Sequence, residues 1–248
     1  MRTSICIATH DKPLLLKNTL HSIFSQSITD AEDIEVIVVD DRSVGSCNHR
    51  VCGAFPVKYI RLEGDPGFKN PAKARNVAYK AATGEVVICQ SDDVIHGCDT
   101  IRRLTEELKH GEFLIATVWN VDDELLPVGL RGFGERGEKI KLLTGNDNKR
   151  PLFFLGSLWR KDLYAIGGND EDFVTGGRED VWFADCLIRG LKLTPRYVDV
   201  LGYHQDHARP VNATEMGRES AEVYNHKKSA AQKSHVWCSA SGPWEFHQ

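Results

Sequence analysis

"IEVIVVDDRS", residues 34–43, decides the fold. Ile34, Val36, Ile37, Val38 and Val39 make a nearly unbroken apolar run, and two carboxylates follow it. A strand with one face in water alternates apolar and polar residues. A continuous run is buried on both faces, as in parallel strands covered by helices on either side. Asp40 and Asp41 then stand at the strand's carboxyl end, where open α/β sheets bind ligands.

The same grammar extends outward. Residues 4–8 and 86–89 read as buried strands, and residues 57–62 as another. Between them lie helices. Asp11 is placed to cap the first, with Pro13 in its opening turn and Leu16, Leu20, Ile23 and Phe24 at helical spacing. "NPAKARNVAYKAATGE" (70–85) offers Ala74, Val77, Ala78 and Ala81 for packing, and Gly84 to stop the helix. Asp99 is placed to cap a helix carrying Ile101, Leu104 and Leu108. Strand and helix alternate through the first 110 residues, which predicts an α/β chain with a Rossmann-like, mostly parallel sheet flanked by helices. Polar groups recur at the strand ends: Thr9–Asp11, Asp40-Asp41 and Asp92-Asp93.

The second half is less regular. Residues 113–119, 152–158 and 196–201 read as strands. One helix starts near Arg160, and another follows Asp180 with Trp182, Phe183, Cys186 and Leu187 on one side and Gly190 at its end. Residues 120–150, rich in glycine and charge, read as a long loop or flap. The expected division is a catalytic domain over 1–207, with a nucleotide-binding half (1–110) and an acceptor-side half (111–207). A C-terminal extension (208–248) either packs through its tryptophans or forms a peripheral tail.

Composition narrows the function. The 248 residues carry 31 basic and 35 acidic side chains, a net charge of −4, which gives no support for a nucleic-acid partner. No apolar stretch is long enough to span a bilayer, although peripheral membrane contact stays open. The start lacks a signal-peptide pattern, and seven cysteines do not form a disulfide framework, so a cytoplasmic location is expected. Cys47 and Cys52 have no matching second pair for a zinc knuckle. No GxGxxG follows the first strand, which argues against dinucleotide oxidoreduction.

Several acidic and basic groups can carry chemistry. Past the end of a strand, a backbone turn can bring Asp92 and Asp93 toward one ion. Oxygen ligands suit Mg²⁺ or Mn²⁺, with substrate phosphates completing the shell. The alternative is a polar turn. Asp41 either accepts a hydrogen bond from a nucleotide base or ribose, or closes its turn with Ser43. Lys73 and Arg75 offer a point charge and a planar fork to phosphate, or simply a basic helix face, with Asn76 placed to orient either. Glu179 and Asp180 start a helix after a glycine-rich turn. They act there as a general base and its neighbour, or as caps. His204 and His207 can complete a metal shell or serve as hydrogen-bonded structural residues.

Taken in order, "SICIATHDK", "SIFSQS", "IEVIVVDDRS", "AKARNVAYKAATGE", "VVICQSDDVI" and "GGNDEDFVTGGREDVWFADCLIRG" resemble the GT-A glycosyltransferases of the family-2 type, over about residues 3–207. The last segment also resembles the galactosyltransferase-type segment of polypeptide N-acetylgalactosaminyltransferases and chondroitin-type enzymes. The resemblance implies the GT-A nucleotide-diphospho-sugar transferase fold. It implies transfer of a hexose or N-acetylhexosamine from a nucleotide-diphosphate sugar, UDP-linked, to a hydroxyl of a glycan or other acceptor, with Mn²⁺ or Mg²⁺ and with inversion by the family-2 pattern, while the last segment, which also resembles retaining enzymes, leaves retention as the alternative. By the same resemblance Ala8, Thr9, His10 and Asp41 border the nucleotide, and Lys73, Arg75, Asn76 and Asp92 hold the donor. Asp92 and Asp93 serve the metal, His204 or His207 takes a metal or diphosphate role, and Asp180 is the base with Glu179 beside the acceptor. Gln90 departs from the family's acidic motif and leaves the metal to Asp92, Asp93 and the diphosphate. Nucleotidyl transfer and non-catalytic binding of a nucleotide sugar or glycan are the alternatives.

Overall fold

The structure, a computed structural model, describes residues 2–26, 33–65, 70–121, 139–207 and 212–246. Strands β1 (Thr3–Thr9), β2 (Ile34–Asp40), β3 (Lys58–Arg61) and β4 (Val86–Ser91) pair in parallel in the order β3-β2-β1-β4. Alternate residues of one strand enter opposite cores. Cys6, Ile37, Val39, Val87 and Cys89 pack with Ala74, Ala78 and Tyr79 of α3 (Ala72–Ala81). Ile5, Ile7, Val36, Val38, Val86 and Ile88 pack with Leu16, Leu20 and Ile23 of α1 (Pro13–Phe24). Two covered faces explain the unbroken apolar runs, and each fully buried aliphatic side chain contributes roughly 1.5–3 kcal/mol.

Register levels the strand ends. Thr9 sits opposite Asp40, and Ala8 opposite Ser91. Residues 9–11, 40–41 and 92–93 therefore share one edge of the sheet.

Local details depart from the sequence reading. Asp11 does not cap α1; it has φ 48°, and its Oδ1 accepts the Val44 N–H at 2.7 Å, tying the β1 loop to the β2 loop. Lys12 takes the cap position instead. Asp99 stands at the N-cap of α4 (Thr100–Glu106) without a capping hydrogen bond, its carboxylate turned to Arg102. Helix α3 ends at Ala81, before Gly84. Gly84 serves a close approach: a Cβ there would lie 2.7 Å from Ser4 N. A short helix α2 (Cys47–Cys52) carries the two spaced cysteines at its ends, one exposed and one buried, and all seven cysteines are free.

Beyond β4 the sheet changes direction. β8 (Leu155–Trp159) runs antiparallel to β4, and β6 (Glu112–Val121) antiparallel to β8. β9 (Thr194–Gln205) is parallel to β6, and β5 (Val94–His96) closes the edge against β9. β7 (Lys139–Thr144) pairs with β6 inside the stretch read as a loop, and residues 122–138 of that stretch lie outside the described residues.

Helices α5 (Arg160–Ala165) and α6 (Glu179–Asp185) follow β8. The latter passes without a break into a π-turn over Cys186–Gly190, so Gly190 ends the π-turn rather than α6. In the extension, α7 (Ala213–Ser234) is held by Lys227, whose Nζ lies 2.9 Å from the fully buried Asp170. The tail after it packs through its tryptophans: Trp237 lies beside Trp182, and Trp244 beside Tyr164. This packing needs the glycines at 167–168. Both have positive φ, and a Cβ on Gly167 would lie 2.0 Å from Gly242 O.

Candidate active site

A cleft of about 180 Å³ opens along the level strand ends. Ala8, Thr9, His10, Lys12, Asp41, Pro71, Arg75, Ser91, Asp92 and Asp93 line it. Six of the residues singled out in the sequence as donor contacts are therefore together: Ala8, Thr9, His10, Asp41, Arg75 and Asp92. Two are not. Successive helical residues are turned by about 100°, so Arg75 faces the cleft while Lys73 is exposed to solvent and Asn76 is buried. The Asn76 amide is fully engaged elsewhere. Its Nδ2 donates to Asn169 O and Glu171 Oε1, both at 2.8 Å, and its Oδ1 accepts the Asn169 N–H. It fastens α3 to the glycine-rich segment instead of facing the donor region.

Asp40 and Asp41 divide the work of their pair. Asp40 is wholly buried and accepts from Ser43 N–H and Tyr59 OH, both at 2.8 Å, so it shapes the turn. Asp41 faces the cleft. Its Oδ1 accepts from both Nε and one terminal nitrogen of Arg42, while its Oδ2 takes no hydrogen bond from the described residues. His10 Nδ1 lies 2.7 Å from the Asp41 carbonyl.

Asp92 and Asp93 occupy the turn between β4 and β5 and are 6% and 4% exposed. Thr19 Oγ1 donates to the Asp92 carbonyl and Gln205 N–H to the Asp93 carbonyl. The turn is closed by Gln90, whose Nε2 donates to Val94 O at 3.0 Å and whose Oε1 lies 2.7 Å from His96 Nε2. Gln90 thus points into the protein and braces the turn that aims the two aspartates.

Both carboxylates converge on a residue the sequence reading passed over. Lys12 Nζ lies 2.7 Å from Asp93 Oδ2 and 3.4 Å from Asp92 Oδ1. Burial alone would lower the Lys12 pKa, but Asp92 and Asp93 outweigh it and hold the ammonium charged. Burial pushes the Asp92 carboxyl up, with Asp93 adding to it. Burial also opposes ionisation of Asp93, yet the His207 hydrogen bond and Lys12 hold it well below the usual range.

Strand β9 returns the two histidines to this point. Asp93, His204 and His207 each offer a ligand atom, and these atoms lie within 4.8 Å of one another. His204 Nδ1 is 2.8 Å from Asn120 Oδ1, a carbonyl oxygen, so Nδ1 carries the proton. Burial lowers the pKa of His204 and keeps the ring neutral. Its Nε2 lone pair then lies 3.5 Å from Asp93 Oδ1, a buried oxygen with no hydrogen-bond donor among the described residues. Two acceptors facing each other repel unless a cation lies between them, so the residues fit a metal ion. The Asn120 contact also fixes the ring in the orientation that metal-ligating histidines usually need. Asp92 stands outside this set, its Oδ2 bound to Thr9 Oγ1 at 2.8 Å.

Glu179 and Asp180 begin α6 after Arg178, which has φ 65°. Glu179 turns back to accept the Gly177 N–H at 2.9 Å. Asp180 accepts the Val181 N–H at 2.7 Å. Burial and the neighbouring Glu179 push the Asp180 pKa up to about 6, against Arg75. Burial would lower the Arg75 pKa, but Tyr79, then Glu179 and Asp180, raise it, so this arginine of the cleft lies in the field of the acidic pair.

A family model described as glycosyl transferase family 2 matches residues 4–164, more than half of the chain. The chain belongs to glycosyl transferase family 2. Its fold is that of the GT-A glycosyltransferases. One similar solved structure is the mannosyltransferase PcManGT from Pyrobaculum calidifontis in complex with GDP-Man and Mn²⁺, at a TM-score of 0.64 and 20% identity. The match covers 92% of the family-2 chain described here and 64% of PcManGT. TarS 1–349 of S. aureus in complex with UDP-GlcNAc is similar at a TM-score of 0.62 and 16% identity, over 92% of this chain and 69% of that one. Against a longer S. aureus TarS structure the TM-score is 0.58 at 18% identity, and this chain spans 41% of it. At these identities the likeness is one of fold. A comparison with curated protein sequences gives no match. Among the described residues, no helix is long and apolar enough to cross a membrane.

Proposed function

We propose that this family-2 chain transfers a hexose or N-acetylhexosamine from a UDP-linked sugar to a hydroxyl of a glycan or similar acceptor, with inversion. The observation that carries the reading is the cleft itself. It is lined by Asp41, by Asp92 and Asp93 beside the two histidines, and by Arg75, which lies in the field of Asp180.

Asp41, with Oδ1 engaged by Arg42, has Oδ2 left for one base N–H. Uracil presents a single N–H between two carbonyls, whereas guanine presents two adjacent donors, so this supports uridine. Ala8, Thr9 and His10 wall the base, and Arg75 pairs with phosphate. Asp93, His204 and His207 would hold Mn²⁺ in preference to Mg²⁺, because two imidazoles suit it better than an ion that demands oxygen. When bound, the ion offsets the negative charge gathering on the departing diphosphate. Asp180 takes the proton of the acceptor hydroxyl as its oxygen bonds to the anomeric carbon, and the bond from that carbon to the diphosphate oxygen breaks. With a pKa of about 6, Asp180 is ionised at neutral pH and still basic enough to assist. Attack opposite the leaving group inverts the anomeric centre.

The test is incubation with Mn²⁺, acceptor oligosaccharides and a panel of UDP- and GDP-sugars, reading free nucleoside diphosphate and the anomeric configuration of the product. UDP release with an inverted product is expected. A retained anomer overturns inversion, and a nucleotide joined to the product would mean nucleotidyl transfer. Donor binding without turnover would leave a binding domain.

A further inference from the structure

Lys12 is a cation that the chain itself supplies to the acidic turn. Its ammonium lies 2.7 Å from Asp93 Oδ2, 3.4 Å from Asp92 Oδ1 and 3.2 Å from His207 Nε2. It thus touches two of the three residues that converge as metal ligands and also holds Asp92, which stands outside them. A divalent ion at Asp93, His204 and His207 would lie beside this ammonium. Like charges at such separation repel strongly in a partly buried site.

The lysine has somewhere else to go. Its side chain is 30% exposed, and it lines the cleft in which Arg75 and Asp41 also stand. Its backbone is fixed at the cap of α1, so only the flexible four-carbon stem has to move. A diphosphate in the cleft would offer the ammonium several charged oxygens in exchange for two carboxylates.

We propose that Lys12 couples ion binding to donor binding: its ammonium holds Asp92 and Asp93 until a nucleoside diphosphate enters, then moves to the diphosphate and leaves Asp93 to the ion. This rests on the reading of the cleft as a donor site. By linkage, the factor by which UDP tightens Mn²⁺ equals the factor by which Mn²⁺ tightens UDP.

The experiment titrates Mn²⁺ into the full chain with and without UDP. The paramagnetic resonance signal of free Mn²⁺ reports binding, calorimetry of UDP alone runs alongside, and thermal unfolding checks each variant. In the wild type, UDP is expected to tighten Mn²⁺ binding by about tenfold or more. Lys12→Gln should bind Mn²⁺ without UDP about tenfold more tightly than wild type, and the enhancement by UDP should shrink accordingly. Lys12→Arg, which keeps the charge, should retain the wild-type coupling, and Lys12→Met repeats the test should the glutamine variant fold poorly. The proposal is overturned if neutral variants bind Mn²⁺ no more tightly than wild type, or if UDP leaves wild-type Mn²⁺ affinity unchanged. It is equally overturned if no Mn²⁺ binds under any condition. If UDP alone fails to bind the wild type, the donor-site reading falls as well, whereas UDP binding without lysine-dependent coupling removes only the role of Lys12.

Discussion

Asp92-Asp93 and Glu179-Asp180 are the same two-letter pattern put to opposite uses. The first pair follows a strand, and the turn after it aims both carboxylates at one ammonium, with two histidines behind. The second opens a helix, where each carboxylate accepts a nearby backbone N–H and the opposing charges acting on Asp180 are Arg75 and, less strongly, Arg150. Asp93 is consequently held below the usual carboxylate range, and Asp180 is pushed up to about 6. Burial opposes ionisation at both sites, so the His207 hydrogen bond and the Lys12 ammonium in contact with Asp93 make the difference. A carboxylate that stays charged suits a metal ligand, and one poised near neutrality suits a base.

The comparison breaks most readily at Asp180. Asp180→Asn keeps shape and removes basicity, so turnover should fall by about 10²–10⁴-fold while UDP binding by calorimetry stays within about twofold of wild type. Turnover near the wild-type level would place the base elsewhere. On the other side, Asn120→Ala removes the hydrogen bond that fixes the His204 ring. Mn²⁺ affinity measured in the presence of UDP should then drop by about 10–100-fold. An unchanged affinity would take His204 out of the ligand set.

How much of this was legible in the sequence follows from how local each signal is. The apolar runs at 34–39 and 86–89 specify both-face burial and therefore the parallel half, with its strand ends level. Asp41, Arg75 and the Asp92-Asp93 turn were readable because they sit at fixed offsets from those runs. Lys12 was not readable. Its position looks like any helix-start lysine, and its meaning depends on a turn 80 residues away in the chain. The same holds for Asn120 on His204, since pairing across strands leaves no local periodicity. Gln90 looked like a gap in an acidic motif, and only the side-chain contacts with Val94 and His96 show that it braces the turn. Strand β7 was hidden inside a charged, glycine-rich stretch whose pairing with β6 is tertiary.

Asp40-Asp41 is a third acidic pair and extends the contrast, because a single arginine directs one of its members. Arg42→Ala frees both oxygens of Asp41. A carboxylate with both oxygens free can meet the two adjacent N–H donors of guanine. Wild type should therefore bind UDP more tightly than GDP, and the variant should narrow that ratio by about tenfold, within the range of a bidentate base contact. Calorimetry with both nucleotides reads it. A wild type that prefers GDP, or a ratio untouched by Arg42→Ala, would separate the arginine from base choice.

The smallest effect tests the electrostatics most closely. If Asp180 is the base, kcat/KM of the wild type should rise with pH and level off above about 6, because the carboxylate must lose its proton before it can accept one. Glu179 raises the Asp180 pKa and Arg75 lowers it. Glu179→Gln removes a like charge, so the rise should move to lower pH. Arg75→Gln removes an opposite charge, so the rise should move to higher pH. Each shift should be about one pH unit or less, since solvent reaches this partly buried site. The two variants alter size little, and general damage to folding or donor binding would lower both curves without moving them apart. Displacement in opposite directions therefore requires a titrating group that lies between these two charges, and limbs that stay together would show that the group governing turnover is not Asp180.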